Sequence, residues 1–138
     1  KLALEDYVEN LRDRNPEAVD IRTDIQVDGD CRYPLMIESN VYRIVQEACE
    51  NSLRYAHGKH LTISGALAEN QIELQIADDG VGLDRDTSLR FNDLLTHRHF
   101  GLAGMHERAS VIGAELQIVS TPGMGTQVQL VWKLKDSI

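Results

Sequence analysis

The stretch RIVQEACENSLRYA, residues 43–56, carries an acid, an amide and a base at helical spacing, Glu47, Asn51 and Arg54. At about 100° per residue, Arg43, Glu47, Glu50, Asn51 and Arg54 fall within an arc of roughly 100°. Ile44, Val45, Ala48, Cys49, Ser52, Leu53 and Ala56 occupy the rest. A solvated helix face accounts for Glu50 and Arg54, an i,i+4 pair contributing roughly 0.2–0.5 kcal/mol. It does not account for Asn51, whose amide competes for backbone groups inside a helix. An amide set between a carboxylate and a guanidinium suits a ligand, and both readings stand at this level.

Three further stretches have chemical content. In DDGVG, 78–82, Asp78 stands where a strand runs out, and Gly80 and Gly82 permit positive φ and close backbone approach. A fixed carboxylate in a mostly apolar slot selects hydrogen-bond donors, of which the exocyclic amine of adenine is one; an acidic-glycine turn between strands is the plainer reading. FGLAGM, 100–105, puts Gly101, Leu102 and Gly104 at a helix start, where free N–H groups favour an anion. Tight packing of that helix on a sheet also favours glycine. PGMGT, 122–126, adds Gly125 and the hydroxyl of Thr126, and a hairpin turn explains its glycines equally well. No GxxxxGK[ST] occurs, no GxGxxG follows a strand, and serine and cysteine nucleophile motifs are absent. His57, His60, His97, His99 and His106 lack metal spacing on one helix face and read as surface or packing residues.

The elements that must position these groups follow from periodicity. Leu4, Val8 and Leu11 predict a short helix ended by the NPE at 15–17, and Ile21, Thr23, Ile25 and Val27 alternate as a strand. Pro34 fits the first turn of a long helix running from Ile37 to Ala56, closed by Gly58. HLTISGAL and QIELQIA predict a hairpin around Glu69 and Asn70, LAGMHERASVIG a helix ended by Gly113, and ELQIVS with TQVQLVWKL a second hairpin. This order gives an α/β (α+β) two-layer sandwich, a mixed, mostly antiparallel sheet of about five strands with about three helices on one face.

A chain of 138 residues with 42% apolar content fits one domain and one core. The net charge of −8 has the wrong sign for a nucleic-acid surface. A polyphosphate remains accessible to such a chain where backbone N–H groups, a few bases and a divalent cation outweigh the global field. Cys31 and Cys49, without a CxxC or disulfide framework, point to a reducing cytosol, with Cys49 as a core residue. No apolar run is long enough to span a bilayer. The KLALEDY start without methionine is what a piece of a longer polypeptide looks like, and such a parent can carry its own membrane anchor.

In combination and in order, ExxxN on a helix, DxGxG, GLxxM at a helix start and GxGT resemble the ATP-binding domain shared by gyrase, a heat-shock chaperone, mismatch-repair ATPases and sensor histidine kinases. QEACENSLRYA with FGLAGMHERA is most similar to histidine kinases acting on response regulators with helix-turn-helix output domains. The resemblance covers about residues 15–135 and implies a Bergerat-type fold binding ATP and Mg²⁺. By the same resemblance, Asp78 accepts from the adenine amine, and Gly80, Gly82, Gly125 and Thr126 shape the base pocket. Asn51 holds Mg²⁺ against the phosphates, Arg54 neutralises their charge, Tyr55 stands near the nucleotide, and Glu47 orients or deprotonates the attacking group. Gly101, Leu102 and Gly104 receive phosphates, and residues 83–100 form the ATP lid, with Arg85, Arg90 and Arg98 reaching toward phosphates. Residues 1–14 continue from an upstream dimerisation hairpin that carries the phosphoacceptor histidine. The implied protein is a cytoplasmic, monomeric catalytic domain of a homodimeric parent, serving a response regulator and no nucleic acid. A regulatory nucleotide-binding module without transfer and an anti-sigma-type serine kinase are the alternatives.

Overall fold

The computed structural model describes residues 3–14, 19–29, 31–53, 59–80, 102–121 and 124–134. Seven elements have defined ends: α1 (Leu4–Arg14), β1 (Asp20–Val27), α2 (Leu35–Asn51), β2 (His60–Ala68), β3 (Gln71–Asp78), β4 (Glu115–Thr121) and β5 (Gly125–Lys133). Residues 102–111 are also helical and are termed α3. The strands form one sheet in the order β1-β2-β3-β5-β4. Only β1 and β2 run parallel; the other pairs are antiparallel. The mixed, mostly antiparallel five-stranded sheet and the three helices expected from periodicity are therefore present. No described helix is long and apolar enough to cross a membrane.

Strand alternation separates the two faces of the sheet. Ile72, Leu74 and Ile76 of β3 and Val128, Leu130 and Trp132 of β5 are buried in register, as are Leu61, Ile63 and Leu67 of β2. The intervening positions on β3 and β5 include Glu73, Gln75, Gln127 and Gln129, whose amides and carboxylate belong on a solvated face. All three helices cover the apolar face. Leu4, Tyr7, Val8 and Leu11 of α1, Val41, Ile44, Val45, Ala48 and Cys49 of α2, and Met105 and Ala109 of α3 join the same buried cluster. Periodicity identified the α1 stripe except for Tyr7, which turns inward to pack edge-on against Tyr42, ring centroids 5.5 Å apart. Burial pushes the Cys49 thiol up to about 12, so at neutral pH it behaves as a small apolar residue.

Local chemistry sets the element ends. Pro34 stands one residue before α2, at its N-cap, and the Glu38 carboxylate accepts from the Tyr33 N–H at 2.9 Å. The Tyr33 hydroxyl donates to the Ala68 carbonyl at 2.6 Å, tying the start of α2 to the far end of β2. At the end of α3, Gly113 has φ +70° and the Ala114 N–H reaches back to the Ala109 carbonyl at 2.8 Å, a Schellman closure.

Two contacts close the other end of the sheet. Asp79 accepts from the Lys59 and His60 N–H groups, each at 2.8 Å, and its second oxygen meets His60 Nδ1 at 2.7 Å. His60, which the sequence leaves as a surface or packing residue, thus clasps the end of β3 to the start of β2. Gly125 opens β5 at φ +104°, where a Cβ would stand 2.0 Å from the Asp78 carbonyl oxygen.

The Asp79 clasp makes stability pH-dependent. The His60 side chain, then the backbone N–H donors, lower the Asp79 carboxyl to about 2 from its ordinary 3.8. Its contribution is complete above the ordinary value and is lost as pH falls toward about 2. The stability difference between wild type and Asp79→Asn, at most about 1 kcal/mol for so exposed a pair, should therefore shrink as pH falls from about 5 toward 2 in denaturant titrations. Gly125→Ala places Cβ against backbone at a positive φ, so denaturation should show a loss of roughly 1–3 kcal/mol.

Candidate functional site

The buried face of β3 runs Ile72, Leu74, Ile76 and then Asp78, so strand alternation delivers a carboxylate to the space between sheet and helices. Asp78 is 9% exposed and its partner across the β3–β5 pair, Thr126, 6%. Ser120 lies opposite Thr126 on β4, with the two hydroxyls 3.1 Å apart. At this end the apolar rows of the sheet give way to a polar row, Asp78, Thr126 and Ser120, on three neighbouring strands.

A buried carboxylate needs donors. Asp78 Oδ1 accepts from the Gly80 N–H at 3.0 Å and the Thr126 N–H at 3.3 Å, and Oδ2 accepts from the Ser52 hydroxyl at 2.6 Å. An ionised carboxylate offers about four lone-pair positions, and the described residues engage three of them. A crevice of about 10 Å³, lined by Val19, Ser52, Leu53, His60, Leu61 and Asp78, adjoins it. The space matches about one water.

The third donor comes from the end of α2. The regular helix extends to Asn51, and Ser52 and Leu53 take a wider, π-type turn; the expected continuation to Ala56 lies outside the described residues. Such turns recur at functional sites because they re-aim side chains. The Ser52 N–H bonds to both the Ala48 and Cys49 carbonyls, which fixes the residue while its hydroxyl turns to Asp78. The helical wheel grouped Ser52 with the apolar positions. A hydroxyl on the core side of an amphipathic helix requires a polar partner in the core, and that was the available signal.

Glu47 and Asn51 lie one turn apart at the edge of the core face of α2, both half-buried, with Asn51 one turn beyond Ala48. The Asn51 Nδ2 is enclosed and has no hydrogen-bond partner among the described residues. An unpaired buried amide costs on the order of 1–3 kcal/mol, so it fits a bound group that brings acceptors, such as phosphate oxygens. Its carbonyl oxygen is the hard donor Mg²⁺ prefers, and that cation takes few protein oxygens and several waters. The residues present therefore fit Mg²⁺ held jointly with phosphates. Among the described residues no group of three or more His, Cys, Asp or Glu could hold a metal.

The structure thus brings together Asp78, Gly80, Gly125 and Thr126 around one carboxylate, with Asn51 beside Ser52 and Glu47 a turn earlier. Leu102 is half-buried on the core. At Gly104 no described atom lies within 4 Å of an added Cβ, so tight packing does not explain that glycine. Arg54, Tyr55, Gly82, Gly101 and the lid segment 83–100 lie outside the described residues.

Residues 36–136 match the family model for histidine kinase-, DNA gyrase B- and HSP90-like ATPases. The chain is 34% identical over 92% of its length to the sensor protein VraS of Staphylococcus haemolyticus. It is 31% identical over 94% of its length to the sensor histidine kinase LiaS of Bacillus subtilis. In both cases it spans 33% of the relative's length. Its fold is similar to the histidine kinase domain of the blue-light-activated histidine kinase from Erythrobacter litoralis EL346, at a TM-score of 0.71 and 19% identity, covering 95% of this chain and 59% of that one. With the Asp78 carboxylate, the Gly80 and Thr126 donors and the Asn51 amide all inside the matched region, the chain belongs to the histidine kinase-, DNA gyrase B- and HSP90-like ATPase family.

Proposed function

We propose that this chain binds Mg·ATP and donates its γ-phosphoryl group to a histidine on a separate dimerisation domain of a parent sensor kinase, for relay to a response regulator. The observation that carries the reading is Asp78, a buried carboxylate held by three donors and lining a crevice. That arrangement suits one exocyclic amine, as adenine presents at its 6-position; guanine presents a carbonyl there, which the carboxylate repels. Similarity to a relative named a sensor histidine kinase supports the transfer step.

In this reading Thr126 and the Gly80 N–H hold the carboxylate toward the base, and the Asn51 carbonyl takes the metal while its amide satisfies phosphate oxygens. Bound Mg²⁺ supplies charge neutralisation on the phosphates. Glu47 orients the acceptor imidazole and takes its N–H proton as the new P–N bond forms and the P–O bond to ADP breaks, the electron pair leaving with ADP. Phosphoryl transfer asks chiefly for positioning and charge neutralisation. Arg54, Tyr55, Gly101 and the lid enter from the family resemblance, as phosphate and nucleotide contacts.

A calorimetric titration with a non-hydrolysable ATP analogue tests the base pocket. Hydrogen bonds to charged groups are worth about 1.5–3 kcal/mol, so Asp78→Asn should weaken ATP about 10- to 150-fold while circular dichroism stays native. Wild-type affinity in a folded variant would rule out the assignment. For Asn51→Ala, binding in EDTA should fall by the lost amide–phosphate contact and binding with Mg²⁺ should fall further; equal losses under both conditions would remove Asn51 from the metal.

A further inference from the structure

We infer that the free edge of β1 from Thr23 to Val27, with the groove between it and the start of α1, is a docking site for an extended segment of a partner protein. The segment adds as a further strand and alternates apolar with lysine or arginine side chains. The site lies at the end of the sheet away from Asp78: Val27 pairs with Leu67, whereas Asp78 pairs with Leu61. The inference does not rest on the nucleotide reading.

Main-chain direction decides which groups are offered. β1 is an outer strand of the sheet. The Asp20 N–H donates to the Lys59 carbonyl at 2.8 Å and the Asp28 N–H to the Leu67 carbonyl at 2.9 Å, so the even-numbered residues bond to β2. The odd-numbered residues turn their N–H and C=O groups outward. Arg12 Nε closes this edge at one point, donating to the Ile21 carbonyl at 2.7 Å. Among the described residues no hydrogen bond reaches the outward groups of Thr23, Ile25 or Val27. Such an edge is a template for strand addition, and DIRTDIQV carries none of the proline, glycine or lysine that blunts one.

Side chains then select the strand. A groove of about 460 Å³ runs beside the open stretch, with Leu4, Ile25, Val27 and Leu67 as apolar lining and Glu5 and Asp6 as acidic lining. Val27, 51% exposed, leaves an aliphatic surface for a matching side chain. On the other face of β1 Asp24 is exposed, and exposed Asp28 follows at the end of the strand. The one base of β1, Arg22, is held by Asp20 at 2.8 Å. Aliphatic side chains toward the groove and cationic ones toward these carboxylates therefore complement the edge. A second copy of this chain does not, since it brings the same carboxylates and a net charge of −8.

The test titrates the 138-residue chain with a capped peptide of alternating valine and lysine, read by fluorescence anisotropy. Wild type should bind it, and the same peptide with glutamate for lysine should bind at least about tenfold more weakly. N-methylation of alternate amides decides the mode, because only one of the two alternating sets can face β1. Methylating one set, the valine or the lysine amides, should weaken binding about 10- to 100-fold, and methylating the other should leave it within about twofold. Equal effects of the two sets overturn strand addition. Thr23→Pro removes an outward N–H without breaking a bond to β2, so it should weaken the peptide at least about tenfold while circular dichroism stays native. Undiminished binding by this folded variant overturns the proposal. Should Thr23→Pro not fold, Asp24→Lys decides: it should weaken the lysine peptide and strengthen the glutamate one, and no change in either sinks the idea. Absence of peptide binding by wild type overturns it too. So does a concentration-dependent dimer in sedimentation that Thr23→Pro dissociates, which would assign the edge to a second copy.

Discussion

One buried carboxylate sets the terms for the rest of the molecule. Taking Asp78 out of water is costly unless fixed donors replace its hydration, and those donors come from three places far apart in sequence: Ser52 at the end of α2, Gly80 after β3, and Thr126 in β5. Helix, turn and strand must all be in position for the charge to be tolerated. The contact that builds the site therefore also specifies how the layers meet, and Gly125 is required beside it because the β3 backbone approaches too closely for any side chain.

The topology explains why such a meeting occurs. A parallel pair cannot be joined by a hairpin and needs a crossover, which α2 provides between β1 and β2. Having left the far end of β1, the helix returns its C-terminal turn to the end where β2 begins. Since β3 runs antiparallel to β2, its last residue finishes there too, with Leu61 paired to Asp78. The helix end that carries Asn51 and Ser52 is thereby brought to the strand end that carries Asp78. At the opposite end, Tyr33 and Trp132 pack edge-on with centroids 5.7 Å apart, and apolar rows continue across the sheet. Chemistry is concentrated where strands terminate, since the alternation that buries leucine and isoleucine can there bury an aspartate that lines a crevice.

An acidic chain hosting a polyphosphate presents no contradiction at this scale. The net charge of −8 is a property of the whole surface, whereas the site supplies an enclosed amide on Asn51. Short-range, fixed donors outweigh a screened, distant field. The same division assigns different work to the adjacent aspartates: Asp78 is buried among donors that hold it toward the crevice, while Asp79, exposed and paired with His60, closes the sheet behind it.

Fold class and the positions of the chemical motifs were legible in the sequence because both rest on local periodicity. Period-two runs marked β2, β3, β4 and β5, helical spacing marked α1, α2 and α3, and Asp78 stood out as an acid at a strand end followed by glycines. What one residue offers another was not legible there. Ser52 looked like part of an apolar stripe and His60 like a surface residue, because their roles depend on partners 26 and 19 positions away. The end of regular α2 at Asn51 was equally hidden, since apolar spacing continues past it while the turn itself opens. Sequence determined which side chains face inward; only tertiary structure decided which of them meet, because strand register and the return of a crossover helix are set by the packing of the whole core.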